Sequence, residues 1–164
     1  MAIQDVKLLV LDVDGVLTDG RLYYGPQGER LKAFHVRDGA GIKMLLGAGL
    51  DCAFLTGRDG SAASARAAEL GVCHVVSGAE DKESALRRLT RSLGLELSQT
   101  GYVGDDLADL PAMRGCGWSA CPADAAAEVR EAANCVTSAA GGCGAVREIV
   151  ERLLKEQKRW PAGK

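Results

Sequence analysis

No apolar run in this 164-residue sequence approaches the roughly 18 residues that a membrane-spanning helix needs. The opening Met1-Ala2-Ile3-Gln4-Asp5 lacks the charged-then-apolar layout of a signal peptide, so a soluble, cytoplasmic protein is expected. A basic stripe is also missing: 20 Lys and Arg are mixed with 22 Asp and Glu, for a net charge of −2. That balance argues against a nucleic-acid or anionic-membrane partner and leaves a small molecule as the expected one. Six cysteines occur, but none as a C-x-x-C pair, and the two histidines are not spaced as ligands, which removes the sequence support for a zinc site or a disulfide framework. Cys52, Cys73, Cys116 and Cys135 sit in or beside apolar segments and are expected as buried, reduced thiols. Internal repeats and low-complexity linkers are absent as well. With 47% hydrophobic residues there is enough apolar material for one core, and residues 1–164 read as one domain.

What is present is an alternation of short apolar runs with helical patterns, the layout of βα units feeding a mostly parallel sheet covered on both faces. The expected fold is an α/β three-layer sandwich. Its strands are expected at Lys7–Leu11, Asp51–Leu55, Val72–Val76, Gly101–Val103, Gly117–Ala120 and Cys135–Val136. Helices are expected over Asp38–Leu46, Ser61–Leu70, Lys82–Leu93, Asp106–Met113, Asp124–Ala132 and Cys143–Lys158. In the last, Val146, Ile149, Val150, Leu153 and Leu154 share one face. Arg21–Tyr24 and Glu29–Val36 are β-rich and flank the turn residues Gly25-Pro26-Gln27-Gly28, so a β-hairpin is expected after the first strand. Alanines in Ala62–Ala68 and Ala123–Ala127 mark close helix packing. Arg159 to Lys164 have no periodicity and are expected to fray unless Trp160 docks.

Candidate chemistry collects where the strands run out. Asp12 and Asp14 follow Leu11, and ligands of parallel sheets bind at the carboxyl ends of strands, so both acids are expected to face one crevice, where a shared cation would hold them ionised. Taken alone, the pair also reads as simple loop acids. The second strand stops at Thr56-Gly57-Arg58, which offers a hydroxyl, an open backbone N–H at a helix start and a guanidinium to a phosphate. Lys82 opens a helix, against the macrodipole, which implies a nearby anion. The fourth strand ends in Asp105, Asp106 and Asp109, oxygen donors suited to Mg²⁺.

The ordered set D-x-D-G-V, L-T-G-R, helix-opening lysine and G-D-D-x-x-D resembles the haloacid dehalogenase-like (HAD) phosphatases across essentially the whole chain. The resemblance implies a Rossmann-like HAD fold and a phosphoric monoester hydrolase. It makes Asp12 the nucleophile that forms a phosphoaspartate and Asp14 the acid that protonates the leaving alkoxide and then activates water. Mg²⁺ would be held by Asp12, the Asp14 carbonyl and Asp105, with Asp106 and Asp109 in support. Thr56, Gly57 and Lys82 would neutralise the phosphoryl group.

Neither gap between motifs is long enough for a cap domain. The hairpin and the stretch from Phe34 to Ile42 resemble the capless subgroup acting on 3-deoxy-D-manno-octulosonate (KDO) 8-phosphate, in lipopolysaccharide biosynthesis, and on nonulosonate (KDN or sialic acid) 9-phosphates. That subgroup implies a homotetramer whose hairpins form a shared barrel and whose neighbouring subunits cover each site. Arg58 would meet the sugar-acid carboxylate there, although arginine also serves structural salt bridges. Alternatives are a phosphatase of broad small-metabolite range and a non-enzymatic tetramerising domain like that of CMP-sialic acid synthetases, in which the motifs are eroded. Where the subgroup reads Gly-Gly-Arg-Gly-Ala-Val-Arg-Glu, Cys143 replaces the first arginine. Asp38 reads as a helix N-cap, Arg37 as structural or substrate-facing, and His35 and His74 as satisfied structural histidines.

Overall fold

The computed structural model describes residues 3–160, apart from the side chains of residues 29 and 30. The apolar runs form β1 (Leu8–Leu11), β4 (Asp51–Leu55), β5 (His74–Val76), β6 (Thr100–Val103), β7 (Trp118–Cys121) and β8 (Cys135–Val136). A hairpin of β2 (Tyr23–Gly25) and β3 (Gly28–Leu31) follows β1. The helices are α1 (Val36–Gly47), α2 (Ser61–Leu70), α3 (Lys82–Ser92), α4 (Leu110–Gly115), α5 (Ala127–Ala132) and α6 (Ala145–Glu156). The main sheet has six strands in the order β5-β4-β1-β6-β7-β8, every neighbouring pair parallel. β1 lies at its centre: Leu11 pairs with Phe54 on one side and Val103 on the other.

Alternation of side chains across the pleat sorts β1 into two cores. Leu9 and Leu11 pack with Ile42 and Leu45 of α1, Ala63 and Ala67 of α2, and Val146, Ile149, Val150, Leu153 and Leu154 of α6. Leu8 and Val10 pack on the other face with Leu86 and Leu89 of α3, Ala112 and Met113 of α4 and Val129 of α5. The expected three-layer sandwich is therefore the fold, and the small residues of α2 sit where the helix presses on the sheet. Trp160 docks: its ring lies under Arg147 and Lys155, with cation–centroid distances of 5.6 and 5.1 Å, and its backbone N–H donates to the Leu154 carbonyl. The rest of the tail expected to fray, residues 161–164, lies outside the described residues.

Several boundaries move for local reasons. The expected helix over Asp106–Met113 is a 3₁₀ turn at Leu107–Asp109 followed by α4, because Asp109 folds its carboxylate back onto the N–H groups of Asp105 and Asp106, and Pro111 then opens a new helix. α5 begins at Ala127 rather than Asp124, and α6 at Ala145, after Gly144 with φ at +106°. β5 is shorter than expected because Val72 still closes the end of α2 through a hydrogen bond to Ala67. Cys73 follows it exposed, a correction to the expected burial, whereas Cys52, Cys116, Cys121 and Cys135 are buried. Asp38 does not cap its own helix. His35 does that, accepting from the Arg37 N–H at 3.2 Å, and Asp38 instead accepts from Gly144 N at 3.2 Å and Arg147 N at 2.8 Å, capping α6. Among the described residues the carboxyl ends of the strands are flanked by connecting loops and by the segment after the hairpin, whose Lys32 reaches Asp14, with no cap domain over them.

Candidate active site

β1 runs out at Leu11, and Asp12 keeps its N–H in the ladder, donating to the Val103 carbonyl at 2.9 Å. Its Oδ1 accepts from Val13 N at 2.7 Å, which fixes the carboxylate at the start of a tight turn over Val13–Leu17. Inside that turn Gly15 holds φ at +87°, and a Cβ there would fall onto the Asp105 carboxylate, so only glycine permits the approach of the β1 and β6 ends. Asp12 is 5% exposed.

Lys82, first residue of α3, reaches into the same space, its Nζ 2.9 Å from Asp12 Oδ2 and 2.7 Å from Asp109 Oδ1. These are the anions implied by a lysine at a helix start. Oxygens of Asp12, Asp105 and Asp109 lie within 4.8 Å of one another. Asp109 is already saturated: Oδ1 takes Lys82 and the Tyr102 hydroxyl at 2.8 Å, and Oδ2 takes the N–H groups of Asp105 and Asp106 at 3.1 and 3.2 Å. It is an organiser, and Asp12 and Asp105 are the carboxylates left to ligate. Three carboxylates against one ammonium leave two negative charges uncompensated.

The electrostatics register that excess. Burial, reinforced by Asp109, pushes the Asp12 carboxyl up to about 7 despite the pull of Lys82. Burial together with Asp12 and Asp109 pushes Asp105 up to about 8. Burial alone would depress the Lys82 ammonium, yet Asp12 and Asp109 lift it above its ordinary value. A hard dication bound by oxygen would relieve both carboxylates, so the donor set fits such an ion.

Asp12, Asp14, Thr56, Gly57, Arg58, Lys82, Asp105 and Asp106 line one crevice of about 320 Å³. It lies where the chain order reverses around β1, the switch point of a doubly wound sheet. Asp109 stands beneath it. Thr56 is buried, and its Oγ1 accepts from Arg58 N at 3.2 Å. Gly57 falls short of α2, so its N–H belongs to the connecting turn and not, as expected, to a helix start. Asp106 caps the 3₁₀ turn through Leu107 N at 2.8 Å. Arg58 donates to the Tyr24 hydroxyl at 2.9 Å. Cys143 lies elsewhere, exposed, in a pocket with Arg37 and Arg147.

Three contributors were not anticipated from the sequence. Lys32 pairs with Asp14 Oδ1, Tyr24 meets Arg58, and Tyr102 braces Asp109. Only Tyr102 carried a signal, a hydroxyl inside an apolar strand that needs a buried partner. A central parallel sheet that gathers carboxylates able to hold a dication, a buried ammonium and a buried hydroxyl at one switch point defines an enzyme built for phosphate esters.

The haloacid dehalogenase-like hydrolase family model matches residues 56–149. The 3-deoxy-D-manno-octulosonate 8-phosphate phosphatase of Haemophilus influenzae is 45% identical over 155 residues, which is 94% of this chain and 86% of that protein. The cobalt-bound structure of the Haemophilus influenzae enzyme superposes with a TM-score of 0.92 over 95% of this chain and 91% of the other. That of the Moraxella catarrhalis enzyme, in complex with magnesium, phosphate and KDO, is 41% identical with a TM-score of 0.93, covering 96% and 91%. The chain belongs to the haloacid dehalogenase-like hydrolases, in the subgroup of the octulosonate-phosphate phosphatases.

Proposed function

We propose that the protein hydrolyses 3-deoxy-D-manno-octulosonate 8-phosphate to the free sugar acid and inorganic phosphate, with Mg²⁺ as cofactor. The observation that carries this reading is Asp12: a buried carboxylate at the end of the central strand, tied to Lys82 and facing Asp14 and Asp105 across a crevice wide enough for a phosphate. Similarity to enzymes named for that substrate supports the choice of sugar.

In this reading an Asp12 oxygen attacks phosphorus and the ester P–O bond breaks. Asp14 passes a proton to the departing alkoxide and later takes one from the water that cleaves the phosphoaspartate. Lys82, the Thr56 hydroxyl and the Gly57 N–H carry charge on the phosphoryl oxygens, and Arg58 faces the sugar-acid carboxylate. Asp12, the Asp14 carbonyl and Asp105 would hold Mg²⁺, which would supply charge neutralisation. Asp106 and Asp109 support the ligand loop.

The exposed Leu22, Tyr23, Tyr24, Leu31 and Val36 on and beside the hairpin support a homotetramer built through it. Six free cysteines suit the cytoplasm, and no helix among the described residues is long and apolar enough to cross a membrane. We read residues 1–164 as one domain, which predicts one cooperative melting transition. The test is phosphate release, in Mg²⁺ and in EDTA, from KDO 8-phosphate, nonulosonate 9-phosphates, hexose phosphates and a nitrophenyl ester, with Asp12→Asn as blank. Preference for KDO 8-phosphate is expected. Preference for a nonulosonate 9-phosphate or none at all moves the assignment to that substrate or to a broad-range phosphatase, and no Asp12-dependent release returns the fold to a scaffold role.

A further inference from the structure

The hairpin carries a cation that the reaction as described does not use. Lys32 follows β3, on an arm whose Tyr23, Tyr24 and Leu31 are exposed, and a lysine on such an arm ordinarily extends its ammonium into water. Here it turns inward. Its side chain is 2% exposed, and its Nζ pairs with Asp14 Oδ1. Burying an ammonium is costly unless an anion and hydrogen bonds compensate, so this inward turn is tied to Asp14.

Asp14 itself is held loosely by its own segment. Its backbone is non-helical at φ −78° and ψ 119° inside the turn that follows Asp12. Its Oδ2 is buried and has no hydrogen-bond partner, although the neighbouring Asp12 and Asp109 are anchored through both oxygens. The contact from Lys32 is thus what fixes the rotation of the Asp14 carboxyl about its Cβ–Cγ bond.

We propose that Lys32 is a positioning residue: by pairing with Oδ1 it sets the rotation of the Asp14 carboxyl, the group that exchanges the proton with the reacting ester. The idea rests on the reading of Asp14 as acid and base. As the ester P–O bond breaks, its electron pair stays on the leaving oxygen, which takes the proton from the Asp14 carboxyl. When water attacks the phosphoaspartate, the Asp14 carboxylate takes a proton back. The hairpin thereby supplies part of the acid–base apparatus from outside the four sequence motifs.

The test compares first-turnover rates of the full-length protein with saturating Mg²⁺ on two esters. KDO 8-phosphate leaves as an alkoxide that needs a proton, whereas nitrophenyl phosphate leaves as a stabilised phenolate that does not. For Lys32→Gln, and for Lys32→Met as a second variant, the sugar-phosphate rate is expected to fall about 10²-fold, within the range of general acid catalysis, and the nitrophenolate burst less than about 3-fold. The ratio of the two rates is independent of how much of a variant is folded, so a destabilised variant still answers. Asp14→Asn is run alongside. If it shows the selective loss and both Lys32 variants slow the two esters equally or not at all, the positioning role is overturned and the Asp14 reading stands. If Asp14→Asn leaves the two rates in their original ratio, the Asp14 reading itself falls. Lys32→Arg, which keeps a donor on Oδ1, is expected to recover at least about 10-fold of the lost ratio.

Discussion

At the scale of single residues the site is a concentration of like charge that the fold tolerates because Lys82 sits between Asp12 and Asp109. Removing that ammonium as Lys82→Met leaves buried carboxylates unpaired, and the expected cost in metal-free protein is about 3–5 kcal/mol, measured by urea unfolding. The loss should be smaller at mildly acid pH, where Asp12 and Asp105 take up protons. The same carboxyls set the pH dependence of the metal-free protein. Both have folded pKa values raised by burial, to about 7 and about 8, so the folded state binds protons that the unfolded chain has released. Stability in EDTA therefore falls as pH rises from the ordinary carboxylate range near 4 through about 8, and the melting temperature is expected to drop across that window. Mg²⁺ displaces those protons, so its stabilising effect should grow with pH. A melting temperature in EDTA that rises or stays level from about pH 5 to about pH 8 would contradict this assignment of charge.

At the scale of elements, the tie between α1 and α6 is the most exposed to test. Asp38 accepts from Gly144 N and Arg147 N and so satisfies a helix end that Gly144, without a side chain, cannot cap for itself. Asp38→Ala is expected to cost about 1–2 kcal/mol in urea unfolding, and Asp38→Asn less, since an amide oxygen still accepts. An unchanged unfolding midpoint would show that the cap contributes nothing.

That carboxylate also marks where sequence reading stops. Strands read correctly from apolar runs because both faces of a parallel sheet are buried, and α6 from its single apolar face. Asp12, Asp105 and Lys82 were legible because each breaks a local rule at the edge of an element. Asp38 sits near the start of a helix and so looked like that helix's own cap; its true partners lie more than a hundred residues later. Lys32 was illegible for a similar reason, since a lysine in a hairpin carries no local sign of which way it turns.

At the scale of the molecule, the hairpin presents Leu31 at 67% exposure and the start of α1 presents Val36 at 82%, large apolar groups that no described residue covers. Light scattering should give a tetramer mass, and Leu31→Asp should lower it. A monomer with full activity would remove the proposed assembly. The parallel topology has a further outcome in time. β1, which ends just before Asp12, is complete early in translation, but its two ladder partners follow at residues 51–55 and 100–103. Asp105, which faces Asp12, comes later still. Such non-local pairing is slow, and a growing chain with only β1 to β5 carries an open edge on the strand that leads into Asp12. With Asp12 and Asp105 acting together as proposed, the nascent protein is expected to be inert toward phosphate esters until the second half of the sheet covers that edge, so arrest anywhere before β6 is expected to yield a chain that is both inactive and prone to pair with its own copies.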